Sequence, residues 1–256
     1  MTRRHIRPPG DRPHLFTLLG PLALVSLAIG GCSFRQIARS WRPLPPSAST
    51  TTLVLWFEPF ETLDPERWRH TEVKGRTQYD IVTLDERRCL KAESRDGASI
   101  LLAAADFDPD KFEWLSWSWR VDQLVEGEAL DRKQGSDAAA RVYVYFETPG
   151  LPWQKRNIDY VWSATLPVGT ILQSAFAASS KMIVVESGTS ALGQWRRVER
   201  NLEEDYRRCF GKYDPPNVIA IGLMTDTDNT HSVAIAYFDD LRISRRPGDD
   251  DEPPPQ

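Results

Sequence analysis

Four acids, one arginine and two tyrosines are the residues most able to do chemistry in this chain. The segment Met224–His231 reads Met-Thr-Asp-Thr-Asp-Asn-Thr-His, and Asp226, Asp228 and Asn229 place three hard oxygen donors within four residues. Such a set suits Ca²⁺ better than zinc. It equally suits a hairpin turn in which Asp and Asn cap their own backbone, and the spacing leaves both open. It is not an EF-hand loop, since the central Gly and distal Glu are missing. A second group surrounds Arg141. Tyr143 and Tyr145 share its side of an alternating strand, Asp137 lies just before it, and Asp159 is offered by the next strand. Tyrosine beside arginine favours contact with polar ligands, so these residues are expected to line a binding groove.

Support for catalysis is thin. Of four histidines, His5 and His14 lie in the amino-terminal segment, leaving His70 and His231. No Gly-x-Ser-x-Gly, His-Glu-x-x-His, phosphate-loop or dinucleotide pattern occurs. An Asp pair such as Asp137 and Asp226 could flank a glycosidic bond, but sequence does not supply the separation that reaction needs.

The elements that must carry these residues have a period of two. Trp114–Val121 puts Leu115, Trp117, Trp119 and Val121 on one face, and Ser116, Ser118 and Arg120 on the other. Arg141–Phe146 sets Val142, Val144 and Phe146 against Arg141, Tyr143 and Tyr145. Further strands are expected at 53–58, 81–84, 99–103, 159–162, 182–186, 218–224, 233–238 and 241–243. Short β-branched and aromatic runs between Gly, Pro and Asp turns predict an all-β fold, an antiparallel β-sandwich of jelly-roll type with one or two short helices. One helix spans 202–210, with Asn201 as N-cap, Glu204 three residues on and Gly211 as stop. A second helical turn is expected from Asp64-Pro65-Glu66. Nine tryptophans could stack on sugar rings, but Trp117 and Trp119 share a face with Leu115 and Val121 and belong to the core.

The amino terminus carries Arg3, Arg4, Arg7 and Arg12, then an apolar run over 15–29, then Gly30-Gly31-Cys32-Ser33. A basic region, a short apolar core and small residues at the cut make a secretory signal, and the run falls short of the ~20 residues of a membrane span. Ile29-Gly30-Gly31-Cys32 resembles the lipobox of bacterial lipoproteins. That resemblance implies cleavage before Cys32, lipidation of Cys32 and attachment to a bilayer. Ser33 after it implies outer-membrane sorting, with the domain facing the periplasm. Residues 1–31 are thus a signal peptide, and 32–52, with three prolines and a Ser/Thr cluster, a tether. Residues 53–244 form the folded domain, and 245–256 a disordered acidic, proline-rich tail. The whole chain has a net charge of −4, and the signal would remove four Arg for one Asp. An acidic mature chain without a basic cluster argues against nucleic acid as partner. Cys89 and Cys209 could pair in an oxidising compartment or remain buried thiols.

Two resemblances extend across the domain. The first strand, with Glu58 and Glu61, and the last, Ala236–Ile243 with Asp239-Asp240, resemble the ends of galactose-binding-like carbohydrate-binding jelly rolls. That likeness implies a structural calcium held by Glu58 or Glu61 and Asp240. The phrases Trp117-Ser-Trp-Arg-Val, Gly135-Ser-Asp-Ala-Ala-Ala-Arg-Val-Tyr-Val, Ile158-Asp-Tyr-Val-Trp, Trp195–Tyr206 and Ile221–Thr230 resemble domain-of-unknown-function family 3047, over about 55–243. It implies a single domain and draws attention to Asp137, Arg141, Asp205, Asp226, Asp228 and Asn229, with no established activity. His231 stands where that family's pattern has Gly. The expected function is non-catalytic binding of a glycan or other envelope ligand. The alternatives are a glycan-active enzyme using an Asp pair and a structural lipoprotein that binds protein partners.

Overall fold

The computed structural model describes residues 54–149, 155–211 and 214–245; the expected signal, Cys32, the tether, Trp153 and the tail beyond Arg245 lie outside them. Thirteen strands follow one another among the described residues: β1 (Val54–Glu58), β2 (Trp68–Lys74), β3 (Gln78–Leu84), β4 (Arg87–Arg95), β5 (Ala98–Phe107), β6 (Trp114–Gln123), β7 (Ala140–Phe146), β8 (Asn157–Ser163), β9 (Ile171–Gln173), β10 (Ser180–Ser187), β11 (Arg196–Asn201), β12 (Val218–Asp226) and β13 (Val233–Ser244). One helix, α1 (Leu202–Phe210), sits between β11 and β12.

The strands form two sheets. One runs β11-β6-β13-β4-β3, with β1 paired to the far half of β13; the other runs β2-β5-β12-β7-β8-β10-β9. This is the expected β-sandwich, with one departure from antiparallel pairing: β8 and β10 run parallel. A parallel neighbour needs a crossover, and residues 164–179, including β9, supply it.

Alternation decides which residues meet between the sheets. Trp117 and Trp119 from β6 are 1% and 0% exposed, as expected. Their rings stand 5.4 Å apart and nearly perpendicular. Tyr160 lies 5.4 Å from Trp117, and Trp162 5.9 Å from Trp119, both from the facing sheet. Edge and tilted contacts of this kind add about 0.5–1.5 kcal/mol per pair to the burial of the rings. Helix α1 starts as its sequence predicts: Asn201 Oδ1 accepts from the Glu204 amide at 2.9 Å. It stops at Gly211, whose φ of 94° no other residue adopts without strain. The expected second helix is a single turn, closed by the Trp68 amide on the Asp64 carbonyl at 2.8 Å. Three prolonged strands, β2, β4 and β11, were not expected from the pattern. Among the described residues, no helix is long and apolar enough to cross a membrane.

Cys89 is buried in β4, Cys209 lies half-buried in α1, and both are free thiols. Burial pushes their pKa values up to about 11 and about 12.

Candidate functional site

The outer face of the seven-stranded sheet collects most of the residues singled out by sequence. Because Val142, Val144 and Phe146 fill the core, Arg141, Tyr143 and Tyr145 must point the other way. Tyr143 pairs across the ladder with Asp159 of β8, and Arg141 with Met224 of β12. Ile100, Leu102, Ala220, Met224 and Tyr145 make a second apolar cluster here, with Val73 and Tyr143 packed against it. The two tyrosine rings stack, centroids 5.8 Å apart and planes within 20° of parallel.

At one end of this face the chain between β6 and β7 folds back over the sheet. Leu130 and Ala138 from this crossover pack on Val161, Met182 and Val184. Beneath it sits Arg141, whose guanidinium donates to Asp159 Oδ2 at 2.5 Å, to Asp226 Oδ1 at 2.7 Å and to the Ser136 carbonyl at 2.9 Å. Asp226 also accepts from the Ala138 amide at 3.1 Å. Its side chain, like that of Asp159, is almost sealed from solvent. Burial raises the pKa of Asp226 to about 7 and that of Asp159 to about 6, in spite of the nearby Arg141. Burial also works against the Arg141 charge, but Asp226, Tyr143 and Asp159 more than offset it, so its pKa rises.

Asp137 ties the same crossover to the turn after β12. Its carboxylate accepts from the Asn229 amide at 3.0 Å, Asn229 Nδ2 at 2.8 Å, the Thr230 amide at 2.7 Å and Thr230 Oγ1 at 2.8 Å. The turn 227–232 is therefore not a hairpin: β12 and β13 belong to opposite sheets, and the turn crosses the end of the sandwich. Asp228 faces Lys74, with Nζ 3.5 Å from its carboxylate and 2.9 Å from its carbonyl. Burial, then Asp137, raises its pKa.

The structure thus brings Asp137, Arg141, Asp159, Asp226, Asp228 and Asn229 together, but it buries the five charged ones instead of lining an open groove with them, and leaves Asn229 half-exposed. Tyr143 alone of the expected groove residues keeps intermediate exposure; Tyr145 is 9% exposed. One oxygen stands out. Among the described residues, Asp159 Oδ1 is the buried carboxylate oxygen that accepts no hydrogen bond, and it belongs to the cross-strand partner of Tyr143.

Asp137, Asp226 and Asp228 offer carboxylate oxygens within 4.8 Å of one another. Asn229 Nδ2 donates to Asp137 at 2.8 Å and to Asp228 at 3.1 Å, which ties two of these carboxylates together. The calcium pair implied at the chain ends fits less well. Glu58 gives one oxygen to the Phe60 amide at 3.2 Å and the other to Arg67 and to Trp68 Nε1 at 3.0 Å. Asp240 faces the Arg87 guanidinium, together with Asp239, and Glu61 faces Arg88 at 3.4 Å. These acids already have cationic or N–H partners, so Glu58 and Asp240 do not fit a calcium ion as they stand. Of the histidines, His70 meets Ser99 Oγ at 2.7 Å and His231 meets Asp96 at 2.7 Å; the Ser99 hydroxyl is fully buried and also accepts from the Thr77 amide at 2.8 Å.

Sequence reasoning missed the arginines of β11 and α1. Arg196, Arg197, Arg200 and Arg208 line one cleft, and their signal was density alone, five arginines, with Arg207, within thirteen residues.

The fold and this face define an all-β sandwich module, with a polar network buried beneath a crossover on one sheet. The chain belongs to the family described as "Protein of unknown function (DUF3047)", which matches residues 66–242. No curated protein matches it. Among solved structures, it is similar to the family 11 carbohydrate-binding module of the cellulosomal cellulase Lic26A-Cel5E of Clostridium thermocellum, at 12% identity, 78% coverage of this chain, 97% of that one and a TM-score of 0.42. It is also similar to the CBM22-1 xylan-binding domain of Paenibacillus barcinonensis Xyn10C, at 12% identity, 77% and 97% coverage and a TM-score of 0.40.

Proposed function

We propose that this protein is a cell-envelope lipoprotein whose sandwich binds a glycan, without catalysis, on the outer face of the seven-stranded sheet. The observation that carries the reading is the stacked Tyr143–Tyr145 pair on that face, with Tyr143 half-exposed. The Tyr143 ring, stacked on Tyr145 in the apolar cluster that holds Ile100 and Leu102, offers an apolar surface for the C–H face of a sugar.

The enzyme reading draws on Asp226, whose pKa near 7 is what a general acid needs. The burial that raises this pKa also keeps substrate away, however, and Asp137 spends its carboxylate on four donors. Binding is therefore favoured over hydrolysis.

A glycan-array screen of the protein, with turnover followed on each hit, tests the proposal. Tyr143→Ala is expected to weaken a retained glycan at least tenfold, about 1.4 kcal/mol, while leaving the melting temperature within a few degrees. Product release from a retained glycan would favour the enzyme. Retention of no glycan would leave the role of a structural lipoprotein with protein partners. Attachment is tested separately: fatty-acid labelling in a bacterial host is expected for the natural chain and lost in Cys32→Ser, which should leave the membrane fraction.

A further inference from the structure

The sandwich opens a second time where the edges of its two sheets part. β11 is the edge strand of the six-stranded sheet, and β10 lies near the edge of the other, carrying only β9 beyond it. Between them is a cleft of about 260 Å³ whose wall includes Val168, Val185 and Val198. Alternation along β11 turns Arg196, Val198 and Arg200 toward this opening, and Arg208 reaches it from α1.

The charges in this cleft do not balance. Asp205, with 1% side-chain exposure, holds Arg200 through two contacts of 2.8 and 2.5 Å and Arg208 through one of 3.3 Å. It also accepts the Tyr160 hydroxyl at 3.0 Å. One carboxylate thus answers two guanidinium charges. Arg196 meets Glu186 through Nε at 3.0 Å, and Arg197 meets Glu199 at 3.7 Å. Four guanidinium groups thus meet three carboxylates around the cleft, in a protein whose net charge is −4.

The guanidinium groups are also held in place with donors to spare. Arg196 uses Nε on Glu186, and Arg208 uses Nη1 on Asp205, which leaves the two Nη of the first and the Nε–Nη2 edge of the second. A guanidinium edge matches the spacing of carboxylate and phosphate oxygens. Both side chains are about half exposed, at 49% and 40%, so a solute can reach them. The valines beside them give an apolar surface, and Val168 is 61% exposed.

We propose that this cleft is a second binding site, separate from the tyrosine face, for the oxyanion of a small acidic saccharide, a uronate carboxylate or a sugar phosphate. Arg196 and Arg208 hold the oxyanion, and the ring rests against Val168 and Val185. Arg200 is a positioning residue: its charge is committed to Asp205, which in turn orients Arg208.

The test is an NMR titration of the protein with glucuronate, glucose 6-phosphate, inorganic phosphate and glucose, at low and high salt. Glucuronate or glucose 6-phosphate is expected to shift resonances of β11 and α1, and the tighter of the two assigns the carboxylate or the phosphate. Glucose is expected to leave them unchanged, and binding should weaken severalfold at high salt, as screening of exposed charges requires. Arg196→Gln and Arg208→Gln should each weaken binding about tenfold, the loss of one charge-assisted contact, whereas Arg95→Gln should not. Because Arg208→Gln could unfold α1, Arg196→Gln, away from Asp205, and the charge-retaining Arg208→Lys complete the set. Tyr143→Ala is expected to leave these shifts intact, so failure here and failure on the tyrosine face are told apart. The proposal is overturned if no anion binds, if Arg196→Gln binds as the natural chain does, or if inorganic phosphate binds as tightly as both saccharides.

Discussion

Arg141 holds two carboxylates and a backbone carbonyl inside the protein, and its side chain is 3% exposed. Arg141→Met keeps much of the volume but strands Asp159 and Asp226 without their cation. Removing one partner of a buried pair costs about 3–5 kcal/mol, so chemical denaturation should show a loss of that size. The same carboxylates predict the pH dependence of stability. The folded-state pKa of Asp226 is raised from 3.8 to about 7, and that of Asp159 to about 6. Over that window the native state binds the proton more tightly than the unfolded chain does. These groups therefore favour folding most at the acid end, and their contribution is lost as pH climbs to about 7 and is flat above it. Subtracting the denaturation profile of Asp226→Asn from that of the natural chain should reveal this slope; a difference that rises with pH would count against it. At this scale the sequence was informative about residue identity. Asp137, Arg141, Asp159 and Asp226 do assemble, but their burial was not readable, because nothing local says that the 124–139 crossover covers them.

Among the elements, the turn after β12 shows how local signals and tertiary demands divide. Asp and Asn at 226–229 announced a turn, and a turn is there. That it passes between sheets depends on where β12 and β13 pair, which no window of a few residues contains. His231 sits in this turn at φ 55°, where a side chain costs about 1–2 kcal/mol and glycine costs none of that strain. Against the extra freedom of glycine in the unfolded chain, about 0.5–1 kcal/mol, and the loss of the exposed His231–Asp96 contact, worth about 0–1 kcal/mol, His231→Gly should leave stability within about 0.5 kcal/mol. A melting temperature nearly unchanged is the expected reading, and a drop of several degrees would mean that the His231–Asp96 contact outweighs the strain. Helix α1 was legible down to its caps, since both signals are local. The strands β2, β4 and β11 were not. In β4 the inward residues are Leu90, Ala92 and Ser94, and the outward ones are mostly charged, so the apolar alternation is faint and β-propensity low.

For the whole molecule, the two cysteines of the described domain give a plain test of the fold. Cys89 lies in β4 and Cys209 in α1, both unpaired, with thiols whose pKa values burial raises to about 11 and about 12. A reductant should leave the melting temperature unchanged, and mass spectrometry should find neither residue alkylated at neutral pH until denaturant is added. A drop of several degrees on reduction would mean that a disulfide supports the domain. The sequence by itself determined the fold class, because period-two alternation reports on burial one residue at a time, and it marked out the tyrosine strand and the helix by the same local logic. Only the tertiary structure decided the parallel β8–β10 pair, the sealing of the acid–arginine network and the arginine-lined seam. Each of those depends on which distant strands become neighbours, and the free energy that selects them belongs to the packed sandwich rather than to any segment of the chain.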